Sequence, residues 1–373
     1  MLKKAPRFLQ SEIFWSLHNF GTPPAFLRTQ MAKILTSVIG LDIGRYALKS
    51  VIMQKKGADR YVVTHYASHV LEEDAQPDGL GKSIKSLLKQ LGGSAKACAV
   101  AVSHPDSIIR LIDQPETPTE ILREALKLNG PMLLNQDCKS YVLDCDLVPT
   151  NGPVEAEKGT QKRYLVAGLP RTQVHEIGTA FHEGGAPPLA SLQLAPLAMF
   201  NAFESTHEDV FNQHAFFLLD IGHSSTTMMV GMKKELVLIR TVDFGGKALI
   251  ETLRNLSGED RQTVVKALDQ EDEVMVENAR MALTALTREI GSSIGFFEGR
   301  REETIRQIWV SGGLAKSKTV LRVLSEELRM PCLAWNATEH CEISIAAARR
   351  NRFTEEMLDL SVACGAAREA LNA

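Results

Sequence analysis

The apolar positions of residues 216–249 predict a compact β-unit. Phe216-Phe217-Leu218-Leu219 is a continuous apolar run closed by Asp220, the pattern of a buried strand. Ile221-Gly222 and a hydroxyl-rich turn, His223-Ser224-Ser225-Thr226-Thr227, follow. Met228 to Met232 reads as a second strand closed by Lys233-Lys234, and Glu235 to Val242 as a third. Gly245-Gly246 then opens a helix. Residues 38–71 repeat the pattern: Asp42-Ile43-Gly44 ends a strand, Leu48 to Met53 is the second, Lys56-Gly57-Ala58-Asp59 turns, and Arg60 to Val70 is the third. Two copies this far apart predict two similar lobes facing one cleft, not a solenoid.

Between and after the copies, the pattern changes period. Ile84, Leu87, Leu88 and Leu91 predict a helix over Leu80 to Leu91, after a turn at Pro77-Asp78-Gly79 and before Gly92-Gly93. A buried strand, ACAVAVS, runs up to His104-Pro105. From Asp106 to Pro170 the order is strand, helix, strand, polar loop, strand, a small α+β module inserted into the first lobe. Its helix runs to Leu128, capped by Thr117 or Thr119 and broken by Gly130-Pro131. Leu283, Leu286, Ile290, Ile294 and Phe297 give one long helix over Glu273 to Glu298 its buried stripe. A strand, IWV, leads into Ser311-Gly312-Gly313, and the chain closes in a small-residue helix, SVACGAAREA. The expected divisions are an N-terminal extension at 1–36, a first lobe at 37–105 and 171–214, the insertion at 106–170, a second lobe at 215–355, and a C-terminal helix at 356–373.

Composition narrows the function classes. The 373 residues suffice for two or three domains with ordinary cores. Forty-two basic against 45 acidic residues argue against a nucleic-acid binder. Six scattered Cys form no CxxC pair and no zinc spacing, which predicts reduced thiols. No apolar run approaches the ~20 residues of a spanning helix. The extension carries Lys3, Lys4, Arg7, Arg28 and Lys33 against Glu12, with Phe8, Leu9, Ile13, Phe14, Trp15, Leu17 and Phe20 among them. It is expected to be a disordered leader, or the product of a start placed ahead of Met31; a segment lying on a membrane surface is the alternative.

Glycines at strand ends let backbone approach phosphate, and successive N–H groups there form an anion cradle. Two Asp-Ile-Gly turns, a later Ser-Gly-Gly turn and the long helix between them resemble the actin-like ATPase superfamily. Asp220 to Leu249, VSGGLA at Val310 to Ala315, and VACGAAR at Val362 to Arg368 are most similar to the PilM family of type IV pilus assembly proteins. The resemblance implies an α/β, actin-like (ribonuclease H-like) two-lobe fold with an inserted 1C-type subdomain. It implies ATP and Mg²⁺ as cofactors. Asp42, Gly44 and Lys49 would form a first phosphate loop and its following strand, and Asp220, Gly222, Ser224, Ser225 and Thr226 a second. Gly245 and Gly246 would lie beside the nucleotide, Gly312, Gly313 and Leu314 would pack on adenine, and Glu289 would reach the ribose. Asp42 and Asp220 would hold the metal through water.

Two departures qualify this. The family's first loop usually reads Gly-Ser-Ser-Ser; here Gly44-Arg45-Tyr46-Ala47 stands in its place, with hydroxyl donors lost. The acidic connecting strand of the family is here Leu192-Gln193-Leu194-Ala195, and Gln193 can orient water but is no general base. No catalytic residue is therefore assigned, and nucleotide binding is expected to be weak or lost. The resemblance implies a scaffold at the cytoplasmic face of the inner membrane, with the N-terminal peptide of a PilN-like membrane protein, other pilus assembly proteins and a second copy of the chain (a homo-oligomer) among its implied partners. An active actin-like ATPase or kinase, or an FtsA-like filament protein, is the alternative.

Overall fold

The computed structural model describes residues 35–57, 60–71, 77–149 and 161–373. The expectations for the N-terminal extension and for most of the 149–161 loop lie outside these residues. The chain divides into two compact units, one of residues 1–206, 337–355 and 362–373, the other of 207–336 and 356–361.

The first unit starts with a meander of β1 (Ser37–Ile43), β2 (Ala47–Lys56) and β3 (Arg60–Val70). Helix α1 (Pro77–Leu91) follows, with proline at its first position, so the expected turn at Pro77-Asp78-Gly79 is already helix. Proline suits that position because its missing N–H would have no partner there. Strand β4 (Cys98–Val102) lies parallel to β1.

The insertion has its own three-stranded sheet and its own core. Strands β5 (Ile108–Pro115), β6 (Tyr141–Leu147) and β7 (Gln161–Pro170) pair antiparallel with β7 in the middle. Helix α2 (Thr119–Leu133) buries Leu122 and Leu126 in a core with Leu143, Tyr164 and Val166. It starts after Pro118 without a side-chain cap, contrary to expectation. The Thr117 hydroxyl donates instead to the Pro115 carbonyl at 2.7 Å. Gly130-Pro131 kinks the helix rather than ending it, with Asn129 alone leaving helical geometry (φ −116°, ψ 25°).

Helix α3 (Arg171–Gly184) leads to β8 (Leu189–Leu194), which joins β4 in parallel, and α4 (Ala195–Thr206) closes this part. In the second unit a short α5 (Glu208–Gln213) precedes the meander β9 (Ala215–Ile221), β10 (Thr226–Met232) and β11 (Glu235–Val242). Then come α6 (Gly246–Ser257), α7 (Arg261–Ala267), α8 (Glu273–Glu298), β12 (Ile308–Ser311), α9 (Lys318–Leu328) and β13 (Cys332–Ala334). Helix α8 has the predicted limits. Asp272 caps it by accepting from the N–H groups of Val274 and Met275, and the predicted stripe is buried throughout.

The duplication read from the sequence reappears as topology. The first sheet runs β3-β2-β1-β4-β8 and the second β11-β10-β9-β12-β13, each a meander continued by two parallel strands.

The units depart from the expected divisions: residues 207–214, expected in the first lobe, and 356–361, expected in the C-terminal helix, belong to the second unit, and residues 337–355 return to the first. A short strand β14 (Cys341–Ile343), expected in the second lobe, pairs parallel with β3 and extends the first sheet. Helix α10 (Ala347–Glu356) follows it, and Arg349 donates to the carbonyls of Tyr66 and Leu91, 2.5 and 3.2 Å away. The final helix α11 (Ser361–Asn372) lies mostly in the first unit. Its small residues have a packing reason. A Cβ on Gly40 would lie 2.0 Å from the Ala363 carbonyl oxygen, and one on Gly365 would lie 1.8 Å from that of Ala198.

Candidate functional site

Each sheet carries its acid-glycine corner at the same rung. In the second unit Asp220 of β9 stands opposite Thr227 of β10 and Ser311 of β12. In the first, Asp42 of β1 stands opposite Lys49 of β2 and Ala101 of β4, and Ala101 stands opposite Gln193 of β8. Residues on one rung share a face, so Asp42 and Asp220 are counterparts, as are Lys49 and Thr227.

The second unit's corner is held by backbone. The Gly222 N–H donates to the Ser225 carbonyl across the turn at 3.0 Å. At the start of α6, the N–H groups of Gly246 and Lys247 donate to the carbonyls of Gly222 and His223 at 2.9 and 2.8 Å. That fit requires glycine at 245, where a Cβ would lie 2.6 Å from the His223 oxygen. Gly312 comes against the same corner at φ +89°, and a Cβ there would lie 2.4 Å from the Ile221 oxygen and 2.8 Å from Asp220 Oδ1. Asp220, Gly222, Gly245, Gly246 and Gly312, far apart in sequence, therefore converge. Gly313 has open space around its Cβ position.

Several expected donors are already engaged. The buried Thr226 hydroxyl donates to the Phe244 carbonyl at 2.6 Å, so its role is to join turn and strand. The N–H of Gly222 and that of Gly246 are taken as described above. Ser224 and Ser225 remain partly exposed in the turn. Leu314 is 9% exposed and belongs to the unit's apolar core. Glu289, on α8, pairs with Arg240 of β11 at 2.6 Å.

The first unit's corner has the same turn and different side chains. A Cβ on Gly44 would lie 2.8 Å from the Ala47 oxygen, as one on Gly222 would lie 3.0 Å from that of Ser225. Arg45 and Tyr46, both exposed, occupy the positions of His223 and Ser224. His104, in the loop after β4, has its pKa lowered by burial, with the Arg45 charge adding to that and Asp106 opposing it. Gln193 is 1% exposed, and its amide donates to Glu369 of α11 at 2.5 Å. That engagement, across 176 positions of sequence, was not visible in the linear pattern.

Among the described residues no group of three or more His, Cys, Asp or Glu gathers to hold a metal. A single carboxylate such as Asp220 suits only a Mg²⁺ that takes its other ligands from water and phosphate.

Residues 192–370 match the family described as type IV pilus assembly protein PilM. That match contains the whole second-unit corner and none of Asp42, Gly44 or Lys49. A solved structure of a PilM-PilN type IV pilus biogenesis complex is similar at 21% identity and a TM-score of 0.75, covering 91% of this chain and 99% of that one. The ethanolamine utilization protein EutJ from Carboxydothermus hydrogenoformans is similar at 13% identity and a TM-score of 0.50, covering 94% of this chain and 91% of that one. The fold is the actin-like α/β fold.

Proposed function

With a PilM-family pattern over residues 192–370 as premise, we propose that this chain is an actin-like assembly scaffold of a type IV pilus or related secretion machine. It works by binding a PilN-like partner. The observation that carries the reading is the family match, which falls on a duplicated sheet of the same fold as the PilM-PilN complex protein. The partner supplies an extended N-terminal peptide. Extended peptides are held by backbone hydrogen bonds beside a sheet and by pockets for alternate side chains. The protein is then recruited to the inner face of the inner membrane by its partner; no helix among the described residues is long and apolar enough to cross a membrane.

Nucleotide is a secondary ligand in this reading. Asp220, Gly222, Ser224, Ser225, Gly245, Gly246, Gly312 and Gly313 would hold it at the second unit's corner. Asp220 would orient a Mg²⁺-bound water, and a bound nucleotide would supply the phosphate charge that the glycine corner accommodates. Asp42 and Lys49 belong to the first unit's weaker corner. A hydrogen bond to a charged group contributes about 1.5–3 kcal/mol. Two lost hydroxyl donors in the first loop therefore weaken binding by about 10²–10⁴-fold. Hydrolysis is slower still, since Gln193 is no base and its amide is committed to Glu369.

Titration of the full chain with the N-terminal peptide of a PilN-like protein tests the scaffold. Saturable binding that a scrambled peptide lacks is expected, and equal signals from both peptides would sink the proposal. Calorimetry with Mg-ATP tests the second part: weak binding, lost in Asp220→Ala, and no measurable turnover.

A further inference from the structure

Helix α2 of the insertion has two apolar faces. The inner one, Leu122 and Leu126, is buried in the insertion's core. The outer one is not covered: Ile121 is 61% exposed, Leu128 74% and Met132 80%. Before the kink at Asn129, positions 121, 125 and 128 lie on one stripe at helical spacing, and Met132 is exposed just beyond it. Large apolar side chains that cluster in this way on a surface mark an interaction site.

The edge of the stripe is acidic. Glu116, Glu120 and Glu124 are exposed, the last two by 75% and 66% of their side chains. Of the neighbouring cations, Arg123 is committed to Asp144 at 3.0 Å and Lys127 to Glu124 at 3.0 Å. Glu120 has only a loose contact to Arg123 at 3.8 Å.

One stretch of this chain has the complementary chemistry. Residues 1–34 carry Lys3, Lys4, Arg7, Arg28 and Lys33 against Glu12, a net charge of +4. The whole chain has a net charge of −3, which leaves −7 on the other 339 residues. Between the cations lie Phe8, Leu9, Ile13, Phe14, Trp15, Leu17 and Phe20. Thirty-four residues span up to ~110 Å when extended, several times the ~17 Å radius of gyration of a 200-residue fold. Reach is no obstacle.

We propose that residues 1–34 dock on the outer face of α2. Their aromatic and aliphatic side chains cover Ile121, Leu128 and Met132, and their cations face Glu116, Glu120 and Glu124. The segment is thereby the chain's own ligand for the insertion.

The test places a photoreactive benzophenone residue at position 15 of the full chain, in place of Trp15, and maps adducts by mass spectrometry. Adducts are expected within residues 119–133. The yield should fall about tenfold in Leu128→Glu/Met132→Glu, the loss typical of removing central anchors from an interface. It should also fall in Glu120→Lys/Glu124→Lys and with rising salt. All four positions are exposed, so the variants keep the fold, as circular dichroism and binding of the PilN-like peptide would verify. No adduct, adducts elsewhere, or a yield that the variants leave unchanged would overturn the proposal. So would adducts that form only to lipid when anionic vesicles are present, which would assign the segment to a membrane surface.

Discussion

Single positions decide whether the second unit's corner can form. Gly312 combines a left-handed backbone, φ +89°, with a Cβ position 2.4 Å from the Ile221 oxygen. Gly313 beside it has neither constraint. Gly312→Ala should therefore lower stability by about 2–4 kcal/mol, from strain and overpacking together. Gly313→Ala should be near neutral. Urea denaturation of the two variants separates them, and equal midpoints would contradict the geometry. The sequence showed two adjacent glycines, and the family resemblance implied that both pack on adenine; only neighbours distant along the chain distinguish them. The converse case lies at the β10–β11 turn. Lys233 and Lys234 both have positive φ, 48° and 75°, in a two-residue hairpin loop where Asn-Gly is the usual pair. Lys234→Gly should raise stability by about 1 kcal/mol, because a left-handed conformation costs a non-glycine residue about that much. Lys233 is best kept, since it pairs with Glu303 at 2.7 Å.

Whole elements were legible where their periodicity was strong. The α8 helix was legible because Leu283 to Phe297 recur on one face; the Asp272 cap that starts it was seen only in the structure. The strand runs FFLL and ACAVAV were equally clear. Element boundaries failed where short-range chemistry was ambiguous. At α2 either threonine offered a cap, and the helix used neither. The final helix was legible as helix but its partners were not. Ala363, Ala367 and Gly365 are small because β1 and α4 approach their backbone, a fact about residues more than 160 positions away. This gives an element-scale prediction. Gly365→Val should displace α11 from α4, where a Cβ would stand 1.8 Å from the Ala198 oxygen. A loss of roughly 3 kcal/mol or more is expected, at the severe end of overpacking. A thermal melt in which Gly365→Val matched the unaltered protein would show that α11 does not pack as described.

At the scale of the whole chain, the duplication could be read because each copy is local: strand, turn, strand, turn, strand within about 35 residues. The return of residues 337–355 to the first unit could not, because β14 is three residues long and carries no pattern of its own. What secures it is Arg368, 3% exposed, which donates to the Ser205 and Ala337 carbonyls at 3.3 and 3.4 Å and lies over the Tyr61 ring. The chain consequently passes between the units four times, at 206–207, 336–337, 355–356 and 361–362. The second unit is completed by the brief 356–361 visit, in which Ser361 bonds Ser311 and Asp359 pairs with Lys316. Unfolding of α10 or α11 in the first unit would pull those contacts away, so the two units should unfold together. The cysteines report this. All six are free; five are buried, and burial pushes the Cys98 and Cys364 thiols far above their ordinary range and Cys332 to about 11. Native protein should react with a thiol reagent first at Cys341, the one that is not fully buried. Across a urea series, Cys98 and Cys364 of the first unit and Cys332 of the second should become reactive at one shared midpoint. In Arg368→Met that midpoint should move down for all three by the same amount, since removing the guanidinium loosens the 337–355 return and the contacts of residues 356–361 go with it. Exposure of Cys98 and Cys364 while Cys332 stays protected would mean that each unit stands alone despite the shared threading.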